Sequence, residues 1–166
     1  MSNAIAIEND KQGNPESEWG LLNGASSDIE GFATDSSYGL GETASFKINT
    51  DASNYRIDIY RLGYYNGDGA RLVNSIQHQS ASAINQPSPL VDPSTGVVDA
   101  GNWSVTDTWD IPADLVSGVY IAKLVREDGI VGENHIPFVV RNDHGNSDIV
   151  LKTADGAVVA TYPPGS

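Results

Sequence analysis

Apolar residues in this chain recur at every second position, in short runs broken by turn residues, and no other feature constrains its fold as much. In "TASFKIN" Ala44, Phe46 and Ile48 share one face, and Ser45, Lys47 and Asn49 the other. "YRIDIYRL" aligns Tyr55, Ile57 and Ile59; "NWSVTDTW" aligns Trp103, Val105 and Trp109; "GVYIAKLV" aligns Tyr120, Ala122 and Leu124. "HIPFVV", "DIVLK" and a weaker "AVVATY" complete the series. Successive side chains of a strand point to opposite faces, so each row marks a strand with one face in a core. Clusters of Gly, Asn, Asp, Ser and Pro separate the rows, and no helical period covers a long window. Strands at this spacing without intervening helices predict an all-β fold, an antiparallel Greek-key β-sandwich.

The rows divide the chain into a polar arm over residues 1–22, a sandwich over 23–152, and a terminal strand or linker over 153–166. One long irregular loop, rich in Pro and Ser, interrupts the sandwich at 77–100; loops of this length in compact domains are commonly functional or disordered. In "IPADLVSGVYIAKLV" a Pro-containing corner precedes a strand with an early tyrosine. That pattern predicts a structural Tyr120, its ring packed inward and its hydroxyl bonded back to the corner backbone.

The 166 residues suffice for a core without metals or disulfides, and the net charge of −13 repels polyanions, which argues against nucleic acid as a partner. The absence of cysteine excludes thiol catalysis, zinc–thiolate sites and disulfides. No apolar run reaches the ~20 residues of a membrane-spanning helix, so membrane insertion is not expected. The polar, acidic N-terminus has neither the basic nor the apolar region of a signal peptide. The acidic balance fits either simple solubility or a cation-rich extracellular setting.

The densest candidate site is "IYRLGYYNGDGARLV", with Tyr64, Tyr65, Asn66 and Asp68 as candidate ligand-binding residues. Its Asn-Gly and Asp-Gly pairs are hairpin signals, and a strand follows where a phosphate-binding loop would need a helix. The tip is therefore expected to fold one tyrosine onto the sheet and to leave the other for a sugar or a protein partner. Asp107 falls on the face of Trp103 and Trp109, which calls for a cation, for water at the rim, or for pairing with Arg56, Arg61 or Lys123. Asp92, Asp99, Asp107 and Asp110 surround the long loop and are the candidate ligands of a structural calcium, although their spacing matches no named calcium motif. His78, expected in the long loop, His135 and His144 are the only histidines, and no G-x-S-x-G accompanies them, so catalysis is not expected.

"IEGFATD", "GETASFKINTDASNYRIDIYRLGYYNGDGARLV", "TGVVDAGNWSV", "IPADLVSGVYIAKLVREDG" and "HIPFVVRND" together resemble one particular domain. It is the immunoglobulin-like β-sandwich that precedes the catalytic region in secreted bacterial proteins related to the N,N-dimethylformamidase large subunit. The likeness runs from about Trp19 to about Lys152. It implies an immunoglobulin- or fibronectin-like fold. Where members carry a cysteine pair bracketing the loop before "GNW", this chain has Pro89 and Ala100. The iron-binding tyrosines and glutamate of the amidase would follow the sandwich, so the resemblance carries no catalytic residue onto this chain. The expectation is a non-catalytic extracellular or cell-surface module, a spacer that binds a glycan, a protein or neighbouring domains of its own polypeptide. Two alternatives stand beside it: a subunit that self-assembles through its terminal strands, and an accessory domain of an amidase-like enzyme.

Overall fold

The computed structural model describes residues 3–145 and residue 153. "DIVLK" and "AVVATY" lie outside them. Among the described residues ten strands form a sandwich and a small ribbon. The large sheet runs β2 (Ser37–Gly39), β10 (Glu133–Arg141), β9 (Gly118–Arg126), β4 (Asn54–Leu62), β5 (Ala70–Gln79). The small sheet runs β1 (Ile29–Ala33), β3 (Thr43–Thr50), β8 (Asp107–Asp110).

The alternating rows are the core. Ala44, Phe46 and Ile48 of β3 face Tyr55, Ile57 and Ile59 of β4, and Tyr120, Ala122 and Leu124 of β9, all fully buried. Phe138 of β10 sits among four aromatics, with ring centroids of Tyr38, Phe46, Trp109 and Tyr120 at 5.8–6.1 Å. The Tyr120 hydroxyl donates to the Val116 carbonyl at 2.5 Å, as the corner pattern predicts.

Three expectations change. One strand pair is not antiparallel: β2 runs parallel to β10, Ser37 opposite Val139. The chain leaves the small sheet after Ala33, bends over residues 34–36 and joins the large sheet at Ser37, so two consecutive strands serve different layers. The long loop is also shorter and more ordered than expected. β5 continues to Gln79, and residues 90–99 form a ribbon of β6 (Leu90–Val91) and β7 (Val98–Asp99). Trp103 lies in a turn rather than on a strand with Trp109; it packs on Phe32 outside the small sheet, its indole donating to the Pro87 carbonyl.

The polar arm is folded. α1 (Ala4–Asn9), capped by the Asn3 side chain, and α2 (Glu16–Trp19) lie against the large sheet and its hairpin tip. Within residues 3–22 there is no strand, only a single bridge between Asn14 and Ala70.

Candidate functional site

The tip between β4 and β5 carries the glycine-rich motif. Asn66 (φ 59°), Gly67 (φ 102°) and Gly69 (φ 85°) take the left-handed backbone that this composition favours. Tyr65 takes it as well, at φ 42°, which is strained for a bulky residue. Its side chain is fully buried, and its hydroxyl bonds Glu8 Oε1 at 3.1 Å and Arg61 Nη1 at 3.0 Å. Tyr64 is 68% exposed. The two tyrosines thus divide as expected, one inward and one outward.

The arm fills the cradle. Glu8 is buried and receives Arg71 Nε at 2.7 Å and Lys11 Nζ at 2.7 Å as well as Tyr65. Burial alone would raise its carboxyl, but the bonds from Lys11 and Arg71, the Arg71 charge and the Tyr65 hydroxyl outweigh that and hold it below its ordinary value. Asn9 Oδ1 accepts from the Tyr64 backbone N–H at 3.1 Å. Gly13 passes so close that a Cβ there would lie 2.5 Å from Asp68 Cβ and 2.7 Å from Tyr65 Cβ. Asn14 completes two backbone bonds, its N–H to Ala70 O and its Oδ1 from the Leu72 N–H. The Trp19 indole lies on Gly69 and donates to Asp68 O at 3.0 Å and Asn14 O at 3.1 Å. Of the four tip candidates, then, Tyr65 and Asp68 hold the arm, Asn66 shapes the turn and is exposed, and Tyr64 is the aromatic side chain that the tip offers to solvent.

Beyond the tip, the arm crosses the outer face of the large sheet. Buried Lys123 donates to the Glu18 and Gly20 carbonyls, both at 3.0 Å, and ion-pairs with Glu133. His135 Nε2 donates to the Trp19 carbonyl at 2.7 Å; burial, aided by the Lys123 charge, pushes this imidazole below its ordinary value. Ser17 and Glu18 wall a groove of about 460 Å³ floored by Arg56, Asp58, Tyr60, Ser75 and Lys123. Burial, with the Asp58 and Glu18 charges, pushes the Tyr60 hydroxyl up to about 12.

A second constellation lies between the sheets. Asp107 Oδ2 accepts from the Tyr55 hydroxyl at 2.5 Å, and Asp107 Oδ1 accepts from His78 Nδ1 at 2.8 Å. The Tyr55 and His78 rings stack with centroids 4.4 Å apart. None of the expected partners Arg56, Arg61 and Lys123 bonds Asp107: Arg56 pairs with Asp58 and Glu127, Arg61 binds Tyr65 and the Ser117 carbonyl, and Lys123 holds the arm. Burial and the Asp107 bond push the Tyr55 hydroxyl up, which keeps it a proton donor. His78 Nε2 is buried without a hydrogen-bond partner. Among the described residues no nucleophile is bonded to it, and the trio joins β4 and β5 to β8 across the core. Its signal was in the sequence: Ile76 and His78 share one row, so His78 belongs to β5 and not to the long loop.

The four calcium candidates do not converge. Asp107 serves the trio, Asp110 accepts from Thr43 Oγ1, Asp92 caps its own turn at Ser94, and Asp99 accepts from the Gly101 N–H. Among the described residues no three His, Asp or Glu side chains are grouped to hold a metal ion.

The chain matches a family described as N,N-dimethylformamidase beta subunit-like, C-terminal, over residues 56–162. It belongs to that family. The matched range includes the tip, Arg61, Arg71, Lys123 and His135, while the arm that they hold precedes it. No curated protein matches the chain. A solved structure that does match is Pseudomonas fluorescens alkylpurine DNA glycosylase AlkC bound to DNA containing an abasic site analog. It is 13% identical, with a TM-score of 0.33, over 72% of this chain and 32% of that one. A likeness of that size carries no argument about either the fold or the function of this family member.

Proposed function

We propose that the chain is a non-catalytic, extracellular β-sandwich module of a larger amidase-related protein, a spacer that docks on the catalytic part of its own polypeptide. The ribbon of residues 90–99 carries this reading. Cross-strand pairing puts Val91 and Val98 on one face, Leu90 and Val97 on the other, all at least 58% exposed. A two-stranded ribbon with aliphatics on both faces is marginal in water and gains stability when a neighbour covers it. Four side chains are too small a patch for a free complex, which needs over ~1,000 Å² of buried surface, and suit a tethered neighbour. The family description, which refers to the C-terminal part of a subunit-like protein, agrees with a module that works beside other domains.

Amide hydrogen exchange tests the docking. The ribbon should exchange fast in the isolated chain and be protected when the amidase part of the polypeptide is joined to it. Equal exchange in both would refute it. Hydrolysis of dimethylformamide or another small amide by the isolated chain, with or without iron, would overturn the non-catalytic reading. Tyr64, exposed at the tip between β4 and β5, supports a further role in stacking on a glycan. Tyr64→Ala should then abolish oligosaccharide binding while leaving Tm unchanged.

A further inference from the structure

We propose that the cradle under the arm is a recognition site for an acidic, tryptophan-bearing segment, and that it accepts this segment in trans, from the arm of a second copy of the chain. The argument begins with charge. The chain has only nine Lys and Arg. Three of them, Arg61, Arg71 and Lys123, converge under the arm with His135 beside them. The arm carries four acids, Glu8, Asp10, Glu16 and Glu18, against one lysine; Glu8 pairs directly with Arg71, and the other three are exposed.

The contacts are those of a bound peptide. The arm adds no strand to the sheet; it is held by side-chain anchors at Glu8, Asn14 and Trp19 and by carbonyls at residues 18–20. Gly13 makes the site selective, because any side chain there would collide with the tip. Tethering is light as well: residues 21–25 join the arm to Ser26, which bonds Glu133 and Asn134 of β10, with Leu22 68% exposed and Gly24 in open space at φ 78°. Such a segment can reach about 16–18 Å when extended, which permits exchange of arms between copies that lie side by side. In one copy the tether supplies an effective concentration of about millimolar, so the resident arm wins at low protein concentration.

The test uses the full chain with a protease site placed in residues 21–26 and cut only after folding. A dye-labelled peptide of residues 3–20 should exchange into the cut protein, with affinity that falls as salt rises, and should not enter the uncut protein at the same concentration. Peptides carrying Glu8→Gln or Trp19→Ala should bind at least about ten-fold more weakly. Retention of the cut arm against excess peptide for days, equal binding of the substituted peptides, or loss of the melting transition when the arm is washed away would each overturn the proposal. The last result would make the arm part of the core. For the uncut chain, sizing after concentration to millimolar should reveal arm-exchanged dimers that dissociate only slowly on dilution; a strict monomer would refute exchange between copies.

Discussion

Glu8 sets the pH limit of the arm. Its carboxyl is depressed below 4.5, so the stability it contributes is complete above that value and is lost as pH falls below it. The groups facing it are Lys11 just past the end of its helix, Tyr65 at the tip, with Arg61 behind that hydroxyl, and Arg71 on β5. His135, depressed below 6.5, acts in a higher window: neutral in the fold, it withdraws stability as pH falls below 6.5 and the unfolded chain takes up the proton first. The Trp19 carbonyl faces it from the arm, Lys123 from β9 and Glu133 from its own strand. Arm release, followed by Trp19 fluorescence, is therefore expected to begin below pH 6.5 and to finish below 4.5. Glu8→Gln should remove the lower step and cost about 1–3 kcal/mol at neutral pH, with Tyr65→Phe costing less. A release curve unchanged by Glu8→Gln would refute this assignment. Between the sheets, Asp107→Asn weakens two charge-assisted bonds at once; a loss of about 1–3 kcal/mol, read as a lower urea midpoint at constant m, is expected. No loss would mean that the trio does not hold the layers.

At the scale of elements, the ribbon offers a direct engineering test. Leu90 pairs with Asp99, so Pro89 and Ala100 are the next facing positions beyond the ladder. Pro89→Cys with Ala100→Cys should form a disulfide spontaneously in an otherwise cysteine-free chain, checked by thiol titration, and raise Tm by a few degrees through closure of a short loop. Free thiols under oxidising conditions would show that the ladder does not extend so far. Legibility followed element length except in β5, whose ten residues end inside the stretch expected to be the long loop. β3, β4, β9 and β10 could be read because eight or nine residues give four or more alternations. The ribbon could not, because each strand has two residues, and the Trp103 row failed because the chain turns before it straightens at Asp107. Within the candidate site, the inward and outward tyrosines followed from the motif itself. The arm did not, since its helices span six and four residues and its partners lie up to 116 positions away.

For the whole molecule, the scattered aspartates predict indifference to calcium. At fixed ionic strength, Tm in calcium, magnesium and EDTA should agree within about 1 °C; a calcium-specific rise of several degrees would reveal a site that the described residues do not form. The parallel pair of β2 and β10 has a mechanical consequence. A module strung between other domains is pulled from both ends. Tension drawn from the N-terminal side of Ser37 and the C-terminal side of Arg141 drags these strands in opposite directions along their common axis. Their hydrogen bonds are then loaded together in shear, rather than peeled apart one at a time as at the end of a hairpin. Forced unfolding reports the rate of crossing that barrier and not the equilibrium stability. Stretching through the two termini should therefore meet a high rupture force once β1 has yielded, and Val139→Pro, which removes the N–H bond from Val139 to the Ser36 carbonyl, should lower the force far more than it lowers the urea midpoint.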